Sequence, residues 1–155
     1  MLSADLELFH HTNTNEYVSE FLWDNEEIPI AMSRDILEKV EHCFTNEARG
    51  LWKIVLKGTN AYVGYVGLWS LFEESQPQLL YAIYKQYSGF GYGSEAAQEI
   101  VNYAIDSLGY EYLIASMDVG NTNSIKLCQR IGFEFNEERI VEGKPTYFYK
   151  FQNKA

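Results

Sequence analysis

The chain has 155 residues, enough for one domain with a sizeable core, and its 46% apolar and 15% aromatic content excludes a disordered polymer. Its 22 acidic residues outnumber 12 basic ones, for a formal net charge of -10, which excludes bulk affinity for nucleic acid phosphate and suits solubility and cationic partners. No apolar run approaches the roughly 18 residues of a membrane span, and MLSADLELFHH lacks the basic and apolar segments of a signal peptide, so the expectation is a cytoplasmic protein with no membrane partner. The cysteines, Cys43 and Cys128, make no metal-like pair, and in that compartment both are expected as free thiols.

In chain order, Leu6 to Phe9 reads as a short strand. Asn13 and Glu16 have capping-box spacing before an apolar face of Tyr17, Val18, Phe21 and Leu22. An acidic loop, WDNEEIPIAM at 23–32, follows, and Ser33 is placed to cap a second helix with Ile36, Leu37, Val40, Cys43 and Phe44 on one side. Leu51 to Phe72 reads as two strands around a Gly-Thr-Asn turn, and 78–85 as a third strand. Ala96, Ala97, Ile100, Val101, Ala104, Ile105 and Leu108 keep a helical period that stops at Gly109. A buried strand at 112–118, a short helix from Thr122 to Ile131 and two closing strands near 133–141 and 146–151 complete the chain. This predicts a single α/β (α+β) domain over 1–155. A helix between strands 78–85 and 112–118 implies a parallel pair within a mixed sheet.

The stretch QYSGFGYGSEAAQEI, Gln86 to Ile100, sets glycines at 89, 91 and 93 just before the strongest helix. A dinucleotide fingerprint needs G-x-G-x-x-G near the start of a sheet and a later acid, which this spacing does not supply. A Walker A loop needs Gly-Lys-Ser/Thr, and Gly93-Ser94-Glu95 stands there instead. Two readings stay open: a strand-to-helix turn with no ligand, and an anion cradle. In the cradle, the first amides of the helix have no partner inside it and lie at the positive end of its dipole.

Gln86-x-x-Gly89-x-Gly91 resembles the Q/R-x-x-G-x-G/A motif of the GNAT superfamily of N-acetyltransferases. Its continuation resembles the GKGYATEA helix of the RimJ/RimL-like branch that acetylates ribosomal-protein N-termini. NTNSIKLCQRIGF, Asn121 to Phe133, resembles the family's N-x-x-S-x-x-L-x-x-K-x-G-F segment. The resemblance implies a GNAT fold: a mixed, mostly antiparallel twisted sheet of six or seven strands, four or so helices and a splayed central parallel pair. It implies acetyl-coenzyme A as co-substrate, no metal, and transfer of the acetyl group to a primary amine by direct attack. The acceptor would be a protein N-terminus, a polyamine or another small amine, and the protein a monomer or homodimer. The competing reading is a non-catalytic coenzyme A-binding sensor.

By the same resemblance, Ile83 and Tyr84 pair with the pantetheine arm. The amides of Gln86, Tyr87, Ser88, Gly89, Phe90 and Gly91, extending to Tyr92 and Gly93, hold the pyrophosphate, with the Phe90 and Tyr92 rings turned away into packing. Asn121, Ser124, Leu127 and Cys128 line the cofactor from the short helix, although Asn121 can equally be a helix cap. The family's usual acid and base are not obvious: Cys128 stands where many relatives have tyrosine, and Gln78 where many have glutamate. Cys128 as a thiol acid, Glu73, Glu74 and Tyr84 are therefore the catalytic candidates, with Tyr81 and Tyr149 as alternative proton carriers. Asp24, Glu26 and Glu27, with Ile28, Ile30 and Met32, are expected to face a cationic acceptor.

Overall fold

The computed structural model describes residues 1–72 and 74–154. Among the described residues, five α-helices and six strands follow one another as α1 (Leu6–Thr14), α2 (Glu16–Leu22), α3 (Ile30–Glu47), β1 (Leu51–Val55), β2 (Tyr62–Trp69), β3 (Gln78–Ile83), α4 (Tyr92–Asn102), β4 (Tyr112–Asp118), α5 (Thr122–Arg130), β5 (Glu134–Val141) and β6 (Lys144–Gln152). The strands form two three-stranded antiparallel sheets, ordered β1-β2-β3 and β4-β6-β5. The residues gather into two compact units.

The first unit holds residues 1–67 and 81–90. Leu6 to Phe9 is not a strand but the first turns of α1. Leu6 and Leu8 mimic strand alternation, while the buried positions, Phe9, Thr12 and Asn13, follow the helical i, i+3, i+4 pattern. Asn13 is accordingly no cap. That role falls to Asn15, whose side chain accepts from the amides of Tyr17 and Val18. Nor does Ser33 cap a helix: α3 begins at Ile30, three residues earlier and behind Pro29, and Ser33 is buried inside it, hydrogen-bonded to His10. Leu37, Val40 and Cys43 bury one face of α3. The β1–β2 hairpin pairs Leu51 with Gly67 through Val55 with Tyr62, with a register shift between Ile54 and Val55.

The second unit holds 68–80 and the chain from Gly91 onward. Here α4 buries Ala97, Ile100 and Val101, continues as one π-helical turn through Ser107 and stops at Gly109 in the left-handed region. Leu113, Ala115 and Met117 alternate inward along β4. The β5–β6 hairpin turns at Glu142 and Gly143, both with positive φ, the geometry of a two-residue hairpin loop. Gly132 ends α5 and Phe133 enters the core.

The expected parallel pairing of β3 with β4 is not present among the described residues, because the two strands belong to different sheets. Side chains join them instead at the start of β3. The Ser116 hydroxyl donates to Gln78 Oε1 at 2.8 Å, and Gln76 Nε2 donates to the Tyr112 carbonyl at 2.6 Å.

Candidate functional site: a glycine turn, a helix start and a polar cluster

β3 lies at the edge of its sheet. The Tyr84 amide donates to the Val63 carbonyl at 3.1 Å, and the Ala82 carbonyl lies against Gly64, so residues 82 and 84 face β2. The two-residue alternation of a strand then turns the backbone of Ile83 to the outer edge. Ile83 thus presents its backbone at the outer edge, whereas the Tyr84 amide is committed to β2.

After the strand, Lys85–Tyr87 forms one 3-10 turn. The Tyr87 amide donates to Tyr84, and both the Ser88 amide and its hydroxyl donate to the Lys85 carbonyl. Those two amides are thus engaged inside the turn. Gly89 and Gly91 have φ of 83° and 84°. A Cβ on either would meet nothing within 4 Å, so the backbone conformation, and not crowding by the protein, demands glycine there. Between them Phe90 is 66% exposed, which corrects the expectation that its ring packs away: two left-handed residues lift it to the tip of the turn. Tyr92 is half-buried.

Gly91 is the N-cap of α4 and offers no side-chain acceptor; the first helical bond runs from the Glu95 amide to the Gly91 carbonyl at 2.9 Å. The amides of residues 92–94 therefore have no acceptor within the helix. Downstream, Asn121 caps α5, its Oδ1 accepting from the Ser124 amide at 3.3 Å. Ser124 and Leu127 are half-buried, and Cys128 is fully buried.

The structure gives most of the sequence-derived acid and base candidates other duties. Glu73 lies outside the described residues. Glu74 pairs with Arg139 at 2.5 Å, and that guanidinium also sits 3.7 Å over the Phe148 ring. Gln78 is fully buried, accepting from Ser116 and donating to the Leu71 carbonyl at 3.3 Å. Tyr149 is buried, and Tyr81 is half-buried. In the acidic loop, Asp24 and Asn25 are consecutive left-handed residues. Ile28 is buried while Ile30 and Met32 are 44% and 41% exposed, so only the latter two can offer apolar surface to an acceptor.

Tyr84 stands in a network that the sequence did not reveal. Its hydroxyl lies 2.8 Å from His11 Nδ1 and 3.2 Å from Thr12 Oγ1; Thr12 Oγ1 lies 2.9 Å from the Tyr62 hydroxyl and donates to the Leu8 carbonyl at 2.7 Å. Next door, the buried Asn13 side chain accepts from the Tyr65 hydroxyl and the Trp23 indole. Thr12 and Asn13 are polar and buried, so an apolar periodicity passes over them. The only trace of His11 in sequence is the His10-His11 pair, which carries no spacing signal.

No group of three potential metal ligands occurs among the described residues, and no described helix is long and apolar enough to cross a membrane.

Comparison with known proteins points one way. The family profile described as an Acetyltransferase (GNAT) domain matches residues 1–134. An uncharacterized N-acetyltransferase, p20, of Bacillus licheniformis is 24% identical over 106 residues, covering 68% of this chain and 60% of the relative. The alignment thus leaves about two fifths of that relative's length unmatched. Among solved structures, an acetyltransferase from Agrobacterium tumefaciens superposes with a TM-score of 0.82 at 17% identity, covering 99% of this chain and 88% of that one. A ribosomal L7/L12 alpha-N-protein acetyltransferase in complex with coenzyme A superposes with a TM-score of 0.78 at 13% identity, covering 98% and 90%. At these identities the structural likeness shows a shared fold.

Proposed function

The chain belongs to the GNAT acetyltransferase family, and from that premise we propose that it is an acetyl-coenzyme A-dependent N-acetyltransferase acting on a primary amine. The observation that carries the reading is the Gly89–Gly91 turn. Two left-handed glycines lead into a helix whose N-cap contributes no side chain, one short 3-10 turn beyond a strand residue, Ile83, whose backbone faces outward. An outward strand edge accepts the amide groups of an extended pantetheine arm. The amides of Gly93 and Ser94, which have no acceptor within α4, and the open space before Gly89 and Gly91 suit a pyrophosphate.

The acceptor we infer is cationic, in keeping with the net charge of -10 and with Asp24, Glu26 and Glu27 beside the exposed Ile30 and Met32. A protein N-terminus is the first class to test, since one structural relative is named for that activity. A polyamine is the second. The sensor reading has its own support: Gln78 and Cys128 are buried, and Glu74 is held in an ion pair.

Acetyl-coenzyme A at a hundred times its Kd stabilises the folded protein by about 2.7 kcal/mol, which for a chain of this size raises Tm by roughly 5–10 °C. Gly91→Glu abolishes that rise, because it sets a carboxylate before the phosphate; its left-handed backbone alone costs about 1–2 kcal/mol in the free protein. An unchanged ligand-induced rise in this variant rejects the placement of the pyrophosphate. Thiol release over a panel of N-terminal peptides and polyamines separates enzyme from sensor: binding without turnover on any acceptor favours the sensor.

A further inference from the structure

We propose that His11 takes the proton released by the attacking amine and does so through the phenol of Tyr84. The inference rests on the N-acetyltransferase reading and supplies the base that the family-like positions lack here.

Counting protons in the cluster carries the inference. The Thr12 hydroxyl has one proton, and it is given to the Leu8 carbonyl at 2.7 Å. The Tyr62 hydroxyl, 2.9 Å from Thr12 Oγ1, must therefore be a donor to it. Burial pushes the Tyr62 phenol well up, so that proton stays in place. Tyr84 is left with two neighbours, His11 Nδ1 at 2.8 Å and Thr12 Oγ1 at 3.2 Å. When His11 is neutral and protonated on Nε2, the Tyr84 hydroxyl donates to Nδ1. When His11 is cationic, Nδ1–H donates to the Tyr84 oxygen and the Tyr84 hydroxyl donates to Thr12. Every polar atom is satisfied in both states with the same heavy-atom positions. A proton can enter and leave the cluster without rearrangement, which is what a relay requires.

The location fits. Tyr84 follows directly on Ile83, the residue whose backbone faces the edge where the acyl carrier lies on the reading above. His11 is on the exposed side of α1 and can return its proton to water. The titratable groups set against His11 are Tyr84, just after β3, and, beyond Thr12, Tyr62 from β2; on its own helix, Glu7 lies one turn earlier.

The step balances. The ammonium acceptor first gives one proton to water and reacts as the free amine; as its nitrogen bonds to the thioester carbon, a second proton passes to the Tyr84 oxygen and the Tyr84 proton passes to His11 Nδ1. The carbon–sulfur bond breaks, the thiolate leaves and takes a proton from water, and His11 releases its own to solvent. The general result is one proton released per ammonium group acetylated.

His11→Asn is the decisive variant, because its amide oxygen can occupy the place of Nδ1 and accept from Tyr84 but cannot take a proton. The expected result is a fall in kcat of at least tenfold. The Kd for acetyl-coenzyme A, read from ligand-induced Tm shifts, stays within twofold, and the acidic limb of the kcat/KM profile disappears. Tyr84→Phe gives the same loss, and the double variant is no slower than the worse single one. Wild-type kcat with the limb retained in His11→Asn overturns the proposal. If His11→Asn melts early, Tyr84→Phe, which keeps the ring, decides alone. A wild-type protein with no Tm response to acetyl-coenzyme A overturns the acetyltransferase reading and this inference together; a normal response with unaffected variants overturns the inference alone.

Discussion

Gly64→Ala is expected to lower the stability of the protein by at least about 3 kcal/mol, measured as a shift in denaturant midpoint at unchanged slope. A methyl group on Gly64 would lie 1.9 Å from the Ala82 carbonyl oxygen and 3.0 Å from both the Ala82 carbonyl carbon and the Ile83 Cα. These are backbone atoms of the neighbouring strand and cannot turn aside as a side chain would. Relief requires the end of β3 to move off β2, which breaks the Tyr84-to-Val63 hydrogen bond and displaces the outer edge at Ile83. The φ of Gly64, 154°, adds a conformational penalty of its own. Gly89→Ala is the control: it also has positive φ but open space, so only about 1–2 kcal/mol of backbone strain is expected. A Gly64→Ala cost no larger than that of Gly89→Ala means β2 and β3 do not approach as closely as described.

The second large effect concerns Gln78→Glu, the change that would bring this chain toward the glutamate of many relatives. Gln78 is fully buried, and both ends of its amide are used. A glutamate keeps the acceptor for Ser116 but loses the donor to Leu71, whose carbonyl oxygen then faces a carboxylate. Burial and that oxygen both disfavour the charged form, so the folded-state pKa of the new carboxyl rises above the ordinary value near 4.3. The neutral acid can still donate to Leu71. A raised folded pKa means the variant is least impaired below about pH 4, and its deficit grows as pH rises toward the folded value. Near pH 7 the cost is expected at roughly 2–4 kcal/mol. Thermal melts from pH 4 to 8 check the sign. A Tm difference from wild type that is flat over this range contradicts the burial of Gln78, and a gain in turnover would show that this position reaches the acceptor after all.

How far the sequence could be read follows from which signals are local. The helix after the glycines was legible because Ala97, Ile100, Val101 and Ala104 are apolar, buried and periodic. The β1–β2 and β5–β6 hairpins were legible because Gly58, Asn60 and Gly143 are residue types that accept positive φ, although Glu142 adopts it too. α1 was missed because two of its three buried positions, Thr12 and Asn13, are polar; they are tolerated inside only through partners outside the helix, Tyr62 and Tyr65 on β2, Tyr84 just after β3 and Trp23 just after α2. The start of α3 was misplaced because Ser33 resembles a cap, whereas its hydroxyl serves His10 across 23 positions. The division of the strands into two sheets depends on long-range pairing, which no window of residues encodes. At the site, the glycines announced themselves through their spacing. The duties of Gln78, Glu74 and Tyr84 are set by Ser116, Arg139 and His11, none of them near in the chain.

The missing side-chain cap at Gly91 also has a kinetic side. A helix start closed by serine or aspartate holds its first turn shut, while one closed only by glycine frays. In native-state hydrogen exchange, the amides of Gly93 and Ser94 should therefore exchange far faster than those of Ile100 and Val101 on the buried face of the same helix. An anion seated on the first turn would slow the former and leave the latter alone. The gradient of protection along α4 is thus a readout of occupancy that needs no acceptor and no turnover.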